Sequence, residues 1–178
     1  MGEISAGAFL EVSQWLLITS SFGSSTGRAL QERIAGLCRD AGVRMLGPNS
    51  LGLLNVPARF FATFSTALNG LQPRPGPIAL ATQSGAFGSA AYGAASLRGL
   101  GFSKIVATGN EADVDVAECI DYLVEDADTR VICAALESCR DGARLRAALL
   151  KAARAGKPVV IMKVGRTELG AAAAATHT

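Results

Sequence analysis

Histidine, aromatic side chains and charge are all scarce in this sequence. Of its 178 residues 1 is His, 6% are aromatic and 18% are charged, and the formal net charge is +2. One His and the absence of CxxC spacing argue against a zinc site, so we predict buried free thiols at Cys38, Cys119, Cys133 and Cys139. A small net charge without any Lys or Arg run gives no electrostatic footprint for nucleic acid or for an anionic membrane.

Long hydrophobic runs are missing as well. The apolar stretches are interrupted and fall short of the about 20 residues that span a membrane. The N-terminal segment contains the early acidic residue Glu3 and no basic region, which argues against a signal peptide. We therefore expect a cytoplasmic protein that has neither a membrane nor a nucleic acid as a partner.

Hydrophobic residues (49%) and glycine (20 residues) are abundant, so the chain can bury a core. Helical segments are predicted at 27–41, 85–98, 114–125 and 143–155. Strands are predicted at 43–46, 78–82, 104–108, 131–136 and 158–164, with 131–136 apolar enough to be buried on both sides. This alternation predicts an α/β fold with a parallel sheet.

The proline-rich segment 71–77 (LQPRPGP) is the predicted domain boundary, since prolines stiffen a linker and stop regular structure. The segments before it supply too few strands for a parallel sheet of their own, and the chain stops where a loop should feed a further element. We therefore expect a fragment of a longer protein.

Ligands of open parallel sheets bind beyond the carboxyl ends of the strands. The segment 82–88 (TQSGAFG) follows a strand and opens a helix, so its backbone N–H groups and Ser84 hydroxyl suit a phosphate. An ordinary turn with Ser84 as helix N-cap explains the pattern equally well.

Other polar residues also follow strands, each with a simpler structural explanation. Glu137 either orients an imidazole or accepts its proton, or it is a solvated acid in a loop. His177 is a competent phosphoryl nucleophile, or part of a frayed tail. Asn49 lies in a Gly-Pro-Asn turn and either contacts a polar ligand or serves only the turn itself. Asp113 is predicted to cap the helix at 114–125.

Several segments in one order carry a more specific signal. From about 20 to 178 the chain resembles the NDP-forming acyl-CoA synthetases, relatives of succinyl-CoA synthetase, through these segments: GPNSLGLLN, RPGPIALATQSGAFG, ATGNEADVDVAECIDYLVEDADT, LES and GKPVVIMKVGRTELGAAAAATHT. The resemblance implies that 1–70 is the remnant of a Rossmann-like CoA-binding domain. It also implies that 78–178 is a flavodoxin-like, succinyl-CoA synthetase-like domain with helices on both faces of its sheet, cut after a phosphohistidine loop.

The resemblance also implies residue roles. His177 matches the histidine that is phosphorylated, and Glu137 matches the glutamate that holds it. The segment Ser84, Gly85 and Ala86 matches the helix N-terminus that binds the phosphoryl group. Asn49 matches a segment near the CoA thiol, and the adjacent Ser50 stands where the family usually has Cys.

The implied activity is that of an acid–thiol ligase, with CoA, ATP or ADP and Mg²⁺ as cofactors. Acyl phosphate passes its phosphoryl group through the histidine to ADP, and the nucleotide site lies on an ATP-grasp domain or subunit outside this chain. The expected partners are CoA, acyl phosphate, a carboxylic acid and that domain, with self-association left open; the fragment alone is expected to be inactive. The alternative is a non-catalytic ligand-sensing module of a protein acetyltransferase fusion, and a flavin-binding flavodoxin-like fold is a third.

Overall fold

Strands and helices alternate through most of the chain. A computed structural model describes residues 14–16, 25–70 and 72–165. Its helices are α1 (Ser25–Asp40), α2 (Gly85–Leu97), α3 (Val116–Glu125) and α4 (Gly142–Arg154), with a short 3₁₀ turn at Thr66–Leu68. Its strands are β1 (Gln14–Leu16), β2 (Arg44–Leu46), β3 (Gly52–Asn55), β4 (Phe60–Thr63), β5 (Pro75–Thr82), β6 (Phe102–Ala107), β7 (Val131–Leu136) and β8 (Val159–Lys163). None of the helices in these ranges is both long and apolar enough to cross a bilayer.

Six of these strands form one sheet in the order β4-β3-β6-β5-β7-β8. The pairs β5–β6, β5–β7 and β7–β8 are parallel, whereas β3 pairs antiparallel with both β4 and β6. The predicted α/β fold with a mainly parallel sheet is therefore confirmed. The prediction missed β3 and β4, and their antiparallel pairing makes one side of the sheet mixed.

Helices cover both faces of the sheet. Successive side chains of β5 point to opposite faces, so each face contributes to a separate core. Ala79 and Ala81 pack with buried residues of α3, α4 and β7, among them Ile120 and Ile132. Leu80 faces the other way and packs with Tyr92 of α2 and with residues of β6. The expected flavodoxin-like layering, with helices on both faces, is confirmed.

The predicted cap of α3 is wrong. Helix α3 begins at Val116, and Asp115 caps it by accepting a hydrogen bond from the Glu118 N–H at 2.7 Å. Asp113 instead accepts from the Met45 N–H at 2.7 Å and pairs with Arg44 at 3.0 Å. Its carboxylate therefore joins β2 to the loop before α3, a contact between distant parts of the chain that no local pattern reveals.

The thiol prediction holds for two cysteines. Cys38 and Cys119 are buried and free, Cys133 is half-buried, and Cys139 is exposed. The prediction is wrong for Cys139 because this residue lies in the turn between β7 and α4. Burial raises the pKa of the Cys119 thiol well above its usual range, so it behaves as an apolar core residue.

The six-stranded sheet contains strands from both sides of the proline-rich segment 71–77. Strand β5 begins at Pro75, inside the predicted linker, since a proline is tolerated at the first residue of a strand. Strands β3 and β4 precede the segment and still pair in the sheet with the strands that follow it. The predicted division into two domains stays a prediction, and β3 and β4 are part of the six-stranded sheet.

Candidate functional site

A cleft of about 230 Å³ opens near the carboxyl ends of β5 and β7. Parallel strands bring their following loops to one edge of the sheet, which is where ligands of such folds bind. The cleft is lined by Asn49, Ser50, Leu51, Phe64, Gln83, Ser84, Gly85, Ala86, Gly109 and Glu137. It therefore gathers six of the predicted site residues, from three loops that are far apart in sequence.

The N-terminus of α2 forms one wall of the cleft. The Ser84 hydroxyl accepts from the Phe87 N–H at 3.2 Å, and the Ser84 carbonyl accepts from the Gly88 N–H at 3.0 Å. The N–H groups of Gly85 and Ala86 donate no hydrogen bond to any described residue, as expected for the first turn of a helix. The first turn carries no acidic side chain, so the positive end of the helix dipole is uncompensated. Capping uses the serine hydroxyl and leaves two N–H groups for an anion.

Gly85 has a packing reason as well as an electrostatic one. A Cβ at this position would lie 2.5 Å from the Cβ of Leu51, which is too close for any side chain. The absence of a side chain lets the loop that carries Asn49 and Ser50 pack directly against the start of α2.

Glu137 occupies the cleft wall after β7 and is half-buried. Its N–H donates to the Gln83 Oε1 at 2.7 Å, and its carbonyl accepts from the Lys163 Nζ at 2.7 Å. Its peptide groups are thus held from both sides. None of the hydrogen bonds or ion pairs among described residues engages its carboxylate, which is available to a ligand or to another side chain.

Asn49 and Ser50 are placed differently. Asn49 is exposed, has a left-handed φ of 58°, and donates to the Asn110 Oδ1 at 3.3 Å. Ser50 is 1% exposed, and its hydroxyl donates to the Ala107 carbonyl at 2.5 Å and accepts from the Gly52 N–H at 2.9 Å. The Ser50 hydroxyl is therefore engaged by two backbone groups and stabilises the loop.

Gln83 and Glu111 are polar residues that the sequence analysis missed. Both are buried, at 7% and 3% exposed, and the Gln83 Nε2 donates to the Glu111 Oε2 at 2.6 Å. Burial raises the pKa of the Glu111 carboxyl above its usual range. Gln83 stands directly after β5, a position that flags ligand residues in parallel sheets, but nothing local distinguishes buried Glu111 from a solvated loop acid.

His177 lies outside the described residues, so the structure does not place it. Six predicted residues, Asn49, Ser50, Ser84, Gly85, Ala86 and Glu137, line the cleft described here. Two backbone N–H groups without an acceptor and a carboxyl group without a partner therefore line one cleft in the described part of the chain.

The sequence model of one known family matches residues 75–178, which hold strands β5 to β8 and three of the helices. That family is described as the succinyl-CoA ligase like flavodoxin domain. The chain belongs to this family. Its predicted resemblance to the succinyl-CoA synthetase superfamily is thereby confirmed.

Similarity to curated relatives extends to the segments of the chain before residue 75. The alpha subunit of acetate–CoA ligase [ADP-forming] I from Pyrococcus furiosus is 38% identical over 164 residues, covering 91% of this chain and 34% of that protein. Acetate–CoA ligase [ADP-forming] from Methanocaldococcus jannaschii is 33% identical over 163 residues, covering 92% of this chain and 22% of that protein. The chain thus spans about a third of the length of the first relative and less than a quarter of the second.

A solved structure resembles this chain over nearly the whole length of the chain. The dinucleotide forming acetyl-coenzyme A synthetase 1 of Ca. Korarchaeum cryptofilum, in complex with phosphate and ADP, matches with a TM-score of 0.79 and 37% identity. The match covers 93% of this chain and 35% of that one.

Proposed function

We propose that this chain is the phosphoryl-transfer part of an ADP-forming acyl-CoA synthetase, an acid–thiol ligase. The observation that carries the proposal is the cleft, in which the free N–H groups of Gly85 and Ala86 and the available carboxyl group of Glu137 occur together. Relatives named as acetate–CoA ligases [ADP-forming], and a similar structure that holds phosphate and ADP, support the choice of reaction.

The proposed reaction has three steps. Inorganic phosphate attacks the thioester carbonyl of acyl-CoA, the C–S bond breaks, and acyl phosphate and CoA are formed. The imidazole of His177 then attacks phosphorus, and the P–O bond to the acyl group breaks with release of the carboxylic acid. ADP takes the phosphoryl group from the histidine, which returns to its neutral form as ATP is made.

Each predicted site residue has a defined part in this scheme. The N–H groups of Gly85 and Ala86 bind phosphoryl oxygens at the positive end of α2, whose first turn Ser84 holds in place. Glu137 orients the imidazole of His177 and stabilises its cationic form. Asn49 lies at the CoA end of the cleft, and Ser50 acts there by fixing the backbone of the loop.

Nucleotide and metal belong to another part of the proposed enzyme. The scheme places ADP, ATP and Mg²⁺ on an ATP-grasp domain or subunit outside this chain. Contact with that partner makes the transfer from phosphohistidine to ADP possible, so we expect no complete turnover by this chain without it.

The test is intact mass spectrometry of the 178-residue chain after incubation with acetyl phosphate, and separately with ATP and an ATP-grasp domain of a relative. We expect a phosphate adduct that is labile in acid, stable in base and absent from the His177→Asn variant. Glu125→Gln, which changes an exposed carboxyl group on α3, is the control variant and should be phosphorylated normally.

Two results contradict the proposal. One is an adduct that persists in His177→Asn, because the phosphoryl group then resides on another residue. The other is no adduct under either condition, which favours the non-catalytic ligand-sensing module.

A further inference from the structure

A buried polar pair lies at the edge of the cleft: Gln83 is among its lining residues, whereas Glu111 is not. Gln83 follows β5 and Glu111 precedes α3, so two different loops contribute the pair. Their side chains meet at 2.6 Å in a region from which solvent is excluded. Buried polar groups of this kind are costly unless every one of them is satisfied, so their arrangement is restricted to very few geometries.

The Gln83 side chain holds the turn that carries Glu137. Its Oε1 accepts from the N–H groups of Glu137 at 2.7 Å and of Ser138 at 2.9 Å. Its Nε2 donates to the Ser138 carbonyl at 3.1 Å. Three hydrogen bonds to one carboxamide therefore fix three successive peptide groups, from the Glu137 N–H to the Ser138 carbonyl.

Glu111 accepts the remaining donor of the Gln83 carboxamide. Two N–H donors require the oxygen of the carboxamide on the turn side, which leaves its nitrogen facing Glu111. The Glu111 carboxyl group also receives the Val116 N–H at 2.8 Å and the Thr108 hydroxyl at 3.0 Å. No ion pair of the described residues involves it, so hydrogen-bond donors alone satisfy this buried acid.

The backbone at Glu111 is unusual as well. Its φ of 55° lies in the left-handed region, which costs free energy for a residue with a side chain. The Arg140 guanidinium donates to the Glu111 carbonyl and thereby helps to hold this conformation. Such strain persists where the surrounding contacts determine the position of a side chain.

We propose that Gln83 and Glu111 are positioning residues that fix the Glu137–Ser138 turn, and with it the Glu137 carboxyl group, for phosphoryl transfer. The proposal rests on the proposed function of the cleft and adds two residues that act by holding the turn. Gln83 acts on the turn directly, and Glu111 acts through Gln83.

Exchanging the two side-chain types tests the pair. Gln83→Glu places a carboxylate against the Glu111 carboxylate, and Glu111→Gln places two NH₂ groups against each other. The double variant again pairs an acceptor at position 83 with a donor at position 111 and still accepts from both N–H groups of the turn. It lacks the donor that Gln83 directs at the Ser138 carbonyl, so we expect partial rather than full recovery. The Ser138 hydroxyl, 3.4 Å from the Gln83 Nε2, can turn to donate to the new carboxylate.

The full chain and these three variants are compared at pH 8 by single-turnover phosphorylation with acetyl phosphate. We expect the saturating rate to fall by between about tenfold and a hundredfold in each single variant, with the half-saturating concentration unchanged because the N–H groups of Gly85 and Ala86 stay in place. In the double variant we expect a gain of about tenfold over the slower single variant.

Amide hydrogen exchange gives a readout that does not depend on activity. We expect exchange at Glu137 and Ser138 to speed up by about tenfold in each single variant and to slow again in the double variant. Ser103→Ala is the control, since it removes a buried hydroxyl near the start of β6, at the end of the strand away from Ala107. It should lower the free energy of unfolding and leave amide exchange at Glu137 and Ser138 unchanged.

Unchanged exchange at Glu137 and Ser138 in both single variants overturns the proposal, as do additive losses of rate in the double variant. Faster exchange with an unchanged phosphorylation rate also overturns it, because the turn is then held without consequence for transfer. If the wild-type chain takes no phosphate, the proposed function fails; the exchange data then decide alone whether the pair holds the turn.

Discussion

Gly109 lies directly against Pro48. A Cβ on Gly109 would be 2.3 Å from the Pro48 carbonyl oxygen, and the φ of Gly109 is +64°. The same two loops are joined by hydrogen bonds from the Asn110 N–H to the Pro48 carbonyl at 2.8 Å and from the Ala112 N–H to the Gly47 carbonyl at 3.0 Å. This backbone contact brings Asn49, from the loop after β2, to the cleft that the later strands form.

Gly109→Ala should lower the free energy of unfolding by at least about 2 kcal/mol, because the new methyl group meets backbone atoms and the left-handed conformation disfavours a side chain. Urea denaturation measures the change. Gly142→Ala is the matched control, since its Cβ would meet nothing within 4 Å, and we expect it to stay within about 0.5 kcal/mol of the wild type. Equal effects of the two variants would contradict the contact at Gly109.

Ser84 allows capping and anion binding to be separated. Ser84→Ala removes the N-cap of α2 and should cost about 1 kcal/mol, whereas Ser84→Asp keeps a good cap and should leave stability nearly unchanged. The new carboxylate repels phosphate, so we expect Ser84→Asp to weaken the binding of inorganic phosphate about tenfold. Thermal unfolding and ³¹P NMR titration measure the two effects.

Asp141→Ala is the control for that comparison. It removes the cap of α4, which does not line the cleft, and should cost about as much stability as Ser84→Ala with phosphate binding unaltered. Phosphate binding that stays the same in Ser84→Asp would refute the anion site at α2.

Glu137→Gln should separate function from stability. No described residue bonds to the Glu137 carboxylate, so we expect the free energy of unfolding to stay within about 0.5 kcal/mol of the wild type. Phosphorylation by acetyl phosphate should slow by about a hundredfold, because the amide stabilises the cationic imidazole poorly. A variant that is phosphorylated at the wild-type rate, as expected for Glu125→Gln, would remove Glu137 from the proposed mechanism.

Glu111 gives a prediction for pH dependence. Burial raises the pKa of its carboxyl group in the folded chain above the ordinary value of 4.5, with a smaller contribution from nearby Asp115. Between 4.5 and the raised value the folded state binds more protons than the unfolded state, so stability from this group falls as pH rises. Glu111→Gln has no such titration.

The stability of the wild type relative to Glu111→Gln should therefore be greatest below pH 4.5 and shrink as pH rises through the window above it. Urea denaturation of both proteins across this range measures the difference. A difference that grows with pH would mean that the hydrogen bonds from Gln83, Val116 and Thr108 outweigh burial and lower the pKa.

Local pattern was sufficient for most secondary structure. The strand predicted at 131–136 is observed as Val131–Leu136, and the helix predicted at 85–98 is observed as Gly85–Leu97. The pattern failed at β3 and β4, which are four residues each and are joined by residues 56–59 without an Asn-Gly or Asp-Gly pair. Strand β3 pairs with β6, about 50 residues away, and β4 joins the sheet only through β3. Periodicity within a short strand cannot report such partners.

The sequence by itself determined the α/β class, the family and the identity of six residues that line the cleft, because strand ends, glycines and segment order are local properties. Only the tertiary structure decided what their side chains do. It turned the Ser50 hydroxyl inward, used the Ser84 hydroxyl as a cap and placed buried Gln83 and Glu111 behind Glu137. Burial and hydrogen-bond partners arise from contacts between distant loops, and these contacts exist only once the parallel strands bring the loops to one edge of the sheet.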